Sequence, residues 1–181
     1  LKRRYREVSA RSIYSLISLG FGQGAYLRDG AKTLKDLGAM YENTLKSYKE
    51  DGTVDETFMF DKSWFTEELK GIMELLKVTD YYRVTGFTID HFAKAIRDGH
   101  GCVIGVNGTS NGTWTSKFPQ IPDKSVTQNK IWGHALYAGK FKIIDGKKYI
   151  GVLNSWGNVG EDGWQWLGEE WFGNEGSYIF N

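Results

Sequence analysis

The stretch from Gly133 to Trp164 constrains this chain most. It opens on Gly133-His134-Ala135, passes an Asp145-Gly146 dipeptide, and reaches Asn154-Ser155-Trp156-Gly157 before Gly163-Trp164. The runs on either side of the dipeptide, Ala135 to Ile144 and Lys148 to Leu153, are rich in β-branched and aromatic residues, and Asp-Gly between such runs is a strong hairpin signal. A hairpin here folds the strand ending at Leu153 back alongside the strand that begins near His134, so that the Asn154 amide can reach the imidazole. An asparagine accepting from Nδ1–H leaves Nε2 free to face a thiol, which is the part a third group plays in orienting a catalytic base. Trp156 would then shield that hydrogen bond from water. His134 is one of only three histidines, and its neighbourhood, more than its presence, makes it the candidate base.

Composition narrows the classes of partner. The chain has 181 residues, enough for one domain, or one fold of two lobes, with a real core. Lys and Arg number 23 against 22 Asp and Glu, a net charge of +1, so no long-range field recruits nucleic acid or an anionic membrane. No nucleic-acid partner is expected. No apolar run approaches the ~20 residues that span a bilayer, so no membrane span is expected either. Cys102 is the single cysteine, which excludes an intrachain disulfide. His91, His100 and Cys102 lack any recognised ligand spacing, and neither a metal nor another cofactor is expected.

Helical patterns crowd the first half. Leu1 to Arg6 is basic and helix-compatible. Ser9 can cap a helix whose Ile13, Leu16 and Ile17 share a face. Gly20, Gly22 and Gly24 mark a loop; no strand precedes it and no Gly-Lys-Ser/Thr follows, which argues against a phosphate cradle. Tyr26 to Leu37 reads as a helix with Leu27, Ala31 and Leu34 on one side and Gly38 past its end. Tyr48 to Thr57 reads as a loop. Phe65, Leu69, Ile72, Met73 and Leu76 form the apolar stripe of a helix after Asp61. Asp80 to Phe87, rich in Tyr and Val, reads as a strand. Thr88 caps a helix carrying Ile89, Phe92, Ala93 and Ile96, ended by Gly99.

Cys102 to Val106 then reads as a buried strand, and Asn107 to Lys130 as a long polar connection with two prolines that lines or overhangs something. Beyond the hairpin come a loop from Asn154 to Gly163 and strands at Trp164 to Leu167 and Ser177 to Phe180. Helices first and strands later favour an α+β class.

Gly133-His134-Ala135, Asn154-Ser155-Trp156-Gly157, Gly160 and Gly163-Trp164 together resemble the C-terminal half of a papain-family (C1) cysteine peptidase. The segment from Gly24 to Lys32, with Leu34 and Gly38, resembles the glycine loop and following helix of bacterial members. Tyr81-Tyr82-Arg83-Val84 and the helix–strand pair through Val106 match that group's layout, so the likeness covers essentially the whole chain. It implies a papain-like two-lobe peptidase fold forming a single domain over residues 1–181. The helical left lobe, incomplete here, would span about residues 1–80, and an antiparallel β-barrel-like right lobe about residues 81–181, with the active cleft between them.

In this family the histidine follows the nucleophilic cysteine by about 130–150 residues. Counting back from His134 lands at or before the first residues, and Leu1-Lys2-Arg3-Arg4 contains no cysteine. The nucleophile is therefore expected upstream of Leu1, with the glutamine of the oxyanion hole, and this chain alone would be inactive. Cys102 is rejected as a substitute despite nearby His100. In an apolar strand a thiol behaves as a small hydrophobe, whereas a reactive thiolate wants a helix N-terminus or a cation in an open cleft.

The resemblance implies a cysteine endopeptidase that hydrolyses peptide bonds in peptide or protein substrates. His134 and Asn154 would be catalytic and Trp156 supporting. Gly22 and Gly24 would pair with the backbone of an extended substrate, and Gly133 would sit beside the primary specificity pocket. One rival is a catalytically inactive papain-like domain kept as a binding or structural part of a larger assembly. The joint presence of His134 and Asn154 favours the enzyme. A second rival, a cysteine amidase acting on cell-wall peptides, lacks the Asn-Ser-Trp-Gly context. The bacterial flavour of the resemblance points to a secreted bacterial enzyme or a phage-particle component.

Overall fold

The computed structural model describes residues 6–123, 125, 127, 130–173 and 179–180. The expected helical tail over Leu1 to Arg6 therefore lies almost wholly outside the described residues, as do Ser177 and Tyr178 of the expected last strand. The chain divides into two compact units, Leu1–Tyr82 and Arg83–Asn181.

The first unit is helical: α1 (Ala10–Ile17), α2 (Leu27–Asp36), α3 (Glu56–Phe60) and α4 (Glu67–Met73), the last followed by a 3-10 turn at Glu74–Leu76. Three starts are capped by side-chain oxygens, Ser9 accepting from Ser12 N–H, Asp55 from Phe58 N–H and Thr66 from Leu69 N–H. The α1 surface departs from expectation. Ile13, Leu16 and Ile17 are only half-buried, while Arg11, Ser12 and Ser15 are buried. Most of the polar groups on that face have partners: the Ser12 hydroxyl donates to Ser9 O and accepts from Met40 N–H, Ser15 Oγ accepts from Trp64 Nε1–H, and Arg11 Nη2 meets Asp61 at 2.8 Å, while Arg11 Nε finds none among the described residues. Hydrogen-bonded polar groups can be buried at little cost, so α1 packs with this polar stripe as well as with its half-buried apolar one.

The core of this unit is Met40, Leu45, Trp64 and Met73, with Leu16, Leu37, Phe65 and Leu69 packed against it. Gly38 ends α2 at φ +93°, where an added Cβ would lie 2.0 Å from the Met73 carbonyl oxygen. The short helix α3 begins inside the segment read as a loop.

The second unit holds α5 (Ile89–Arg97) and five antiparallel strands: β1 (Cys102–Gly108), β2 (Trp132–Ile144), β3 (Lys147–Leu153), β4 (Trp164–Gly168) and β5 (Ile179–Phe180). Their order is β4-β3-β2-β1-β5. The sheet is open among the described residues, so the expectation of a barrel is corrected to a sheet with two borders. Its hairpin turn places Asp145 at φ 49° and Gly146 at φ 76°, both left-handed, as a two-residue turn between twisted strands demands.

Phe92 and Ala93 of α5 pack with Ile104, Val106, Leu136, Ala138, Ile150 and Val152 into one core. Asp80 to Phe87 forms no strand, contrary to expectation. Tyr81 and Tyr82 are exposed while Val84 packs against the core, and β-propensity counts only where a pleated surface has something to cover. The connection after β1 carries a 3-10 turn at Thr113–Thr115 and buries Trp114, Pro119 and Pro122. Its backbone joins the sheet border, with Trp166 N–H donating to Lys117 O at 2.8 Å.

Candidate active site

Strand register delivers the site residues. In β2, His134 stands opposite Val106 of β1, on the same face as buried Leu136 and Ala138, and its ring emerges half-buried at the end of that face. Leu153, the last residue of β3, pairs with Tyr137, and Asn154 follows directly. Asn154 is 6% exposed and its Oδ1 lies 3.0 Å from His134 Nε2. A carboxamide oxygen can only accept, so Nε2 carries the hydrogen. This reverses the expected use of the ring: Nε2, not Nδ1, faces the asparagine, and Nδ1 is the nitrogen left for another partner.

Trp156 stacks on the imidazole, with ring centroids 4.7 Å apart and planes 21° from parallel. Trp114 and Trp132 extend the aromatic wall, at 4.9 Å from each other and 6.1 and 6.2 Å from Trp156. These three indoles, with Gly133, His134 and Ser110, line a cavity of about 590 Å³. The buried Trp114 indole N–H has no acceptor among the described residues.

Sequence reading missed Gln165. It is fully buried in β4, and its Oε1 accepts from Asn154 Nδ2 at 3.0 Å. Its own Nε2 donates to the Trp114 and Ser116 carbonyls at 2.7 and 3.1 Å. The available signal was a lone amide in the apolar run Trp164-Gln165-Trp166-Leu167, sharing a face with Leu167, where a polar group must find partners.

The loop that carries Trp156 is tied down by Glu161. Its carboxylate accepts from Lys117 at 2.5 Å, from Trp166 Nε1–H at 3.0 Å and from Lys142 at 3.4 Å. Lys117 and the Trp166 N–H hold the Glu161 carboxyl down at about 2.

Cys102 stands opposite Ala138, four residues along β1 from the Val106 that pairs with His134. At about 3.4 Å per residue that is roughly 14 Å down the strand. Burial pushes its thiol up, away from thiolate character. Gly22 and Gly24 lie in the first unit at φ 71° and 68°. The Gly22 N–H already donates to Glu56 at 2.8 Å, and the Gly24 carbonyl accepts from Leu19 N–H. Among the described residues no group of three or more His, Cys, Asp or Glu could hold a metal ion, and no helix is long and apolar enough to cross a membrane.

No protein-family model and no curated protein sequence matches the chain. Solved structures do. Xylellain, a cysteine protease from Xylella fastidiosa, superposes with a TM-score of 0.74 at 23% identity, over 96% of this chain and 68% of its own. Procathepsin B S9 from Trypanosoma congolense gives 0.65 at 16% identity, covering 96% of this chain and 59% of its own. Digestive procathepsin L 3 of Tenebrio molitor gives 0.60 at 17%, over 93% of this chain and 52% of its own. The fold of this chain is that of the papain-like cysteine proteases.

Proposed function

We propose that this chain is the part of a papain-like cysteine endopeptidase that carries the base and its orienting amide. The observation behind the reading is the His134–Asn154 contact under the Trp156 indole, in a chain with the papain-like fold. Asn154 and Trp156 hold the imidazole in one orientation and exclude water from its Nε2–H. Nδ1 is then the nitrogen that pairs with a thiolate as imidazolium. The thiolate attacks the carbonyl carbon of the scissile peptide, and Nδ1–H protonates the departing amine. Water then hydrolyses the acyl-enzyme with His134 acting as base.

The nucleophile in this reading is a cysteine preceding Leu1. Cys102 is excluded by its distance from His134 along the strand and by its raised thiol. The cavity beside His134, walled by three indoles, suits a large apolar or aromatic substrate side chain. Because the Gly22 N–H and the Gly24 carbonyl are occupied, backbone pairing with substrate falls to the Gly22 carbonyl and the Gly24 N–H.

The test uses the chain extended through the segment before Leu1. A thiol-directed epoxide should label one upstream cysteine, and His134→Ala should lower turnover of a peptide substrate about 10³-fold or more. Ser, Ala or Gly at the nucleophile position, or unchanged turnover in His134→Ala, would overturn the reading and leave a non-catalytic domain.

A further inference from the structure

We propose that Gln165 is a positioning residue that sets the tautomer of His134 through Asn154. This rests on the reading of His134 as the base only for its catalytic consequence; the tautomer itself follows from hydrogen-bond polarity.

The series starts at two groups whose polarity is beyond choice. The backbone carbonyls of Trp114 and Ser116 can only accept, and both face the same Gln165 side-chain nitrogen. That end of the amide must therefore be the NH₂ end, which turns Oε1 the other way. An oxygen there can only accept, so the Asn154 atom facing it at 3.0 Å must be Nδ2. Asn154 is thereby obliged to present Oδ1 to the histidine, and an oxygen 3.0 Å from Nε2 obliges that nitrogen to carry the hydrogen. Reversing either amide would set donor against donor or oxygen against oxygen inside a region where Gln165 is 0% and Asn154 6% exposed. Polar groups left unpaired there would lose the hydrogen bonds that water supplies outside the fold.

Without the link to Gln165, nothing among the described residues on the far side of Asn154 dictates which end of its carboxamide meets the imidazole. With it, Nδ1 is kept unprotonated in the neutral ring and available to take a proton from a thiol. Gln165 touches no reacting atom and acts only through Asn154.

The experiment is long-range ¹H–¹⁵N correlation of the imidazole nitrogens in this chain, above the pH at which His134 becomes neutral, with His134→Gln used to assign its signals. Wild type should show Nε2–H as the sole detectable tautomer. Gln165→Met, similar in shape but without the amide, should raise the Nδ1–H population at least fivefold. In the nucleophile-bearing form the same variant should lower kcat while KM changes less than twofold. A Gln165→Met protein that keeps its near-UV circular dichroism and the wild-type tautomer ratio overturns the proposal.

If that variant fails to fold, the wild type still decides. The Asn154 side-chain amide protons should exchange at least tenfold more slowly than those of exposed Asn43, and equal rates overturn the proposal. Failure of the peptidase reading is separate, because the tautomer is read without substrate and His134→Ala turnover without reference to Gln165.

Discussion

The imidazole of His134 has a different neighbour on each side: an amide oxygen at Nε2, an indole against one face, and a second indole, Trp132, at its edge. That leaves Nδ1 as the ring nitrogen that none of these three groups engages. Cys102 competes for the role of partner only in the sequence, where it is the one cysteine; in the structure it packs beside the α5-covered core at the other end of β1. Cys102→Ser should accordingly leave turnover of the nucleophile-bearing chain within twofold and shift stability by no more than about 1 kcal/mol, measured by peptide hydrolysis and denaturant melts. Loss of turnover would show that the wrong thiol was set aside. His134, Asn154 and Trp156 were legible because rare residue types fell on either side of a recognisable turn. Which ring nitrogen faces Asn154 was not legible, since it depends on the direction from which the β3 terminus approaches. Gln165 stayed hidden because its partners, Trp114 and Ser116, come from a connection distant in sequence.

At the scale of elements, agreement followed packing. The hairpin β2–β3 and helix α5 came from patterns that the core then used, whereas α1 buried its serines and the Asp80 to Phe87 segment found no sheet to join. The loop between β3 and β4 is the element on which the site depends, and Glu161 is its anchor. The carboxyl is held at about 2 in the fold against an ordinary value of 4.5. The unfolded chain therefore takes up the proton first as pH falls, so the stabilisation is fully present above about 4.5 and is lost on descending through about 2. Because the Glu161 side chain is 45% exposed, the effect is screened and should shrink in salt. Denaturant melts between pH 6 and pH 2 should show wild type losing stability across that window and Glu161→Gln starting lower but losing less. Parallel pH profiles for the two proteins would refute the anchoring role.

At the scale of the molecule, each unit carries its own core, and the core of the second is completed by the connection that follows β1. Trp114 makes that connection structural, with its ring within 6.1 Å of Trp132, Trp156 and Trp171. Trp114→Ala should cost about 3–5 kcal/mol, read from the guanidinium midpoint, and remove much of the near-UV circular dichroism of the indole cluster. A loss below 1 kcal/mol would mean that the connection merely overlies the sheet. The α+β class was legible from the order of helical and strand patterns, while the open form of the sheet was not, because closure depends on what lies at the borders. Those borders have a colloidal consequence. A chain of net charge +1 has little electrostatic repulsion to keep copies apart. Resistance to strand-to-strand association must then reside in the backbone itself: on the β4 border the Trp166 N–H is already bonded to Lys117.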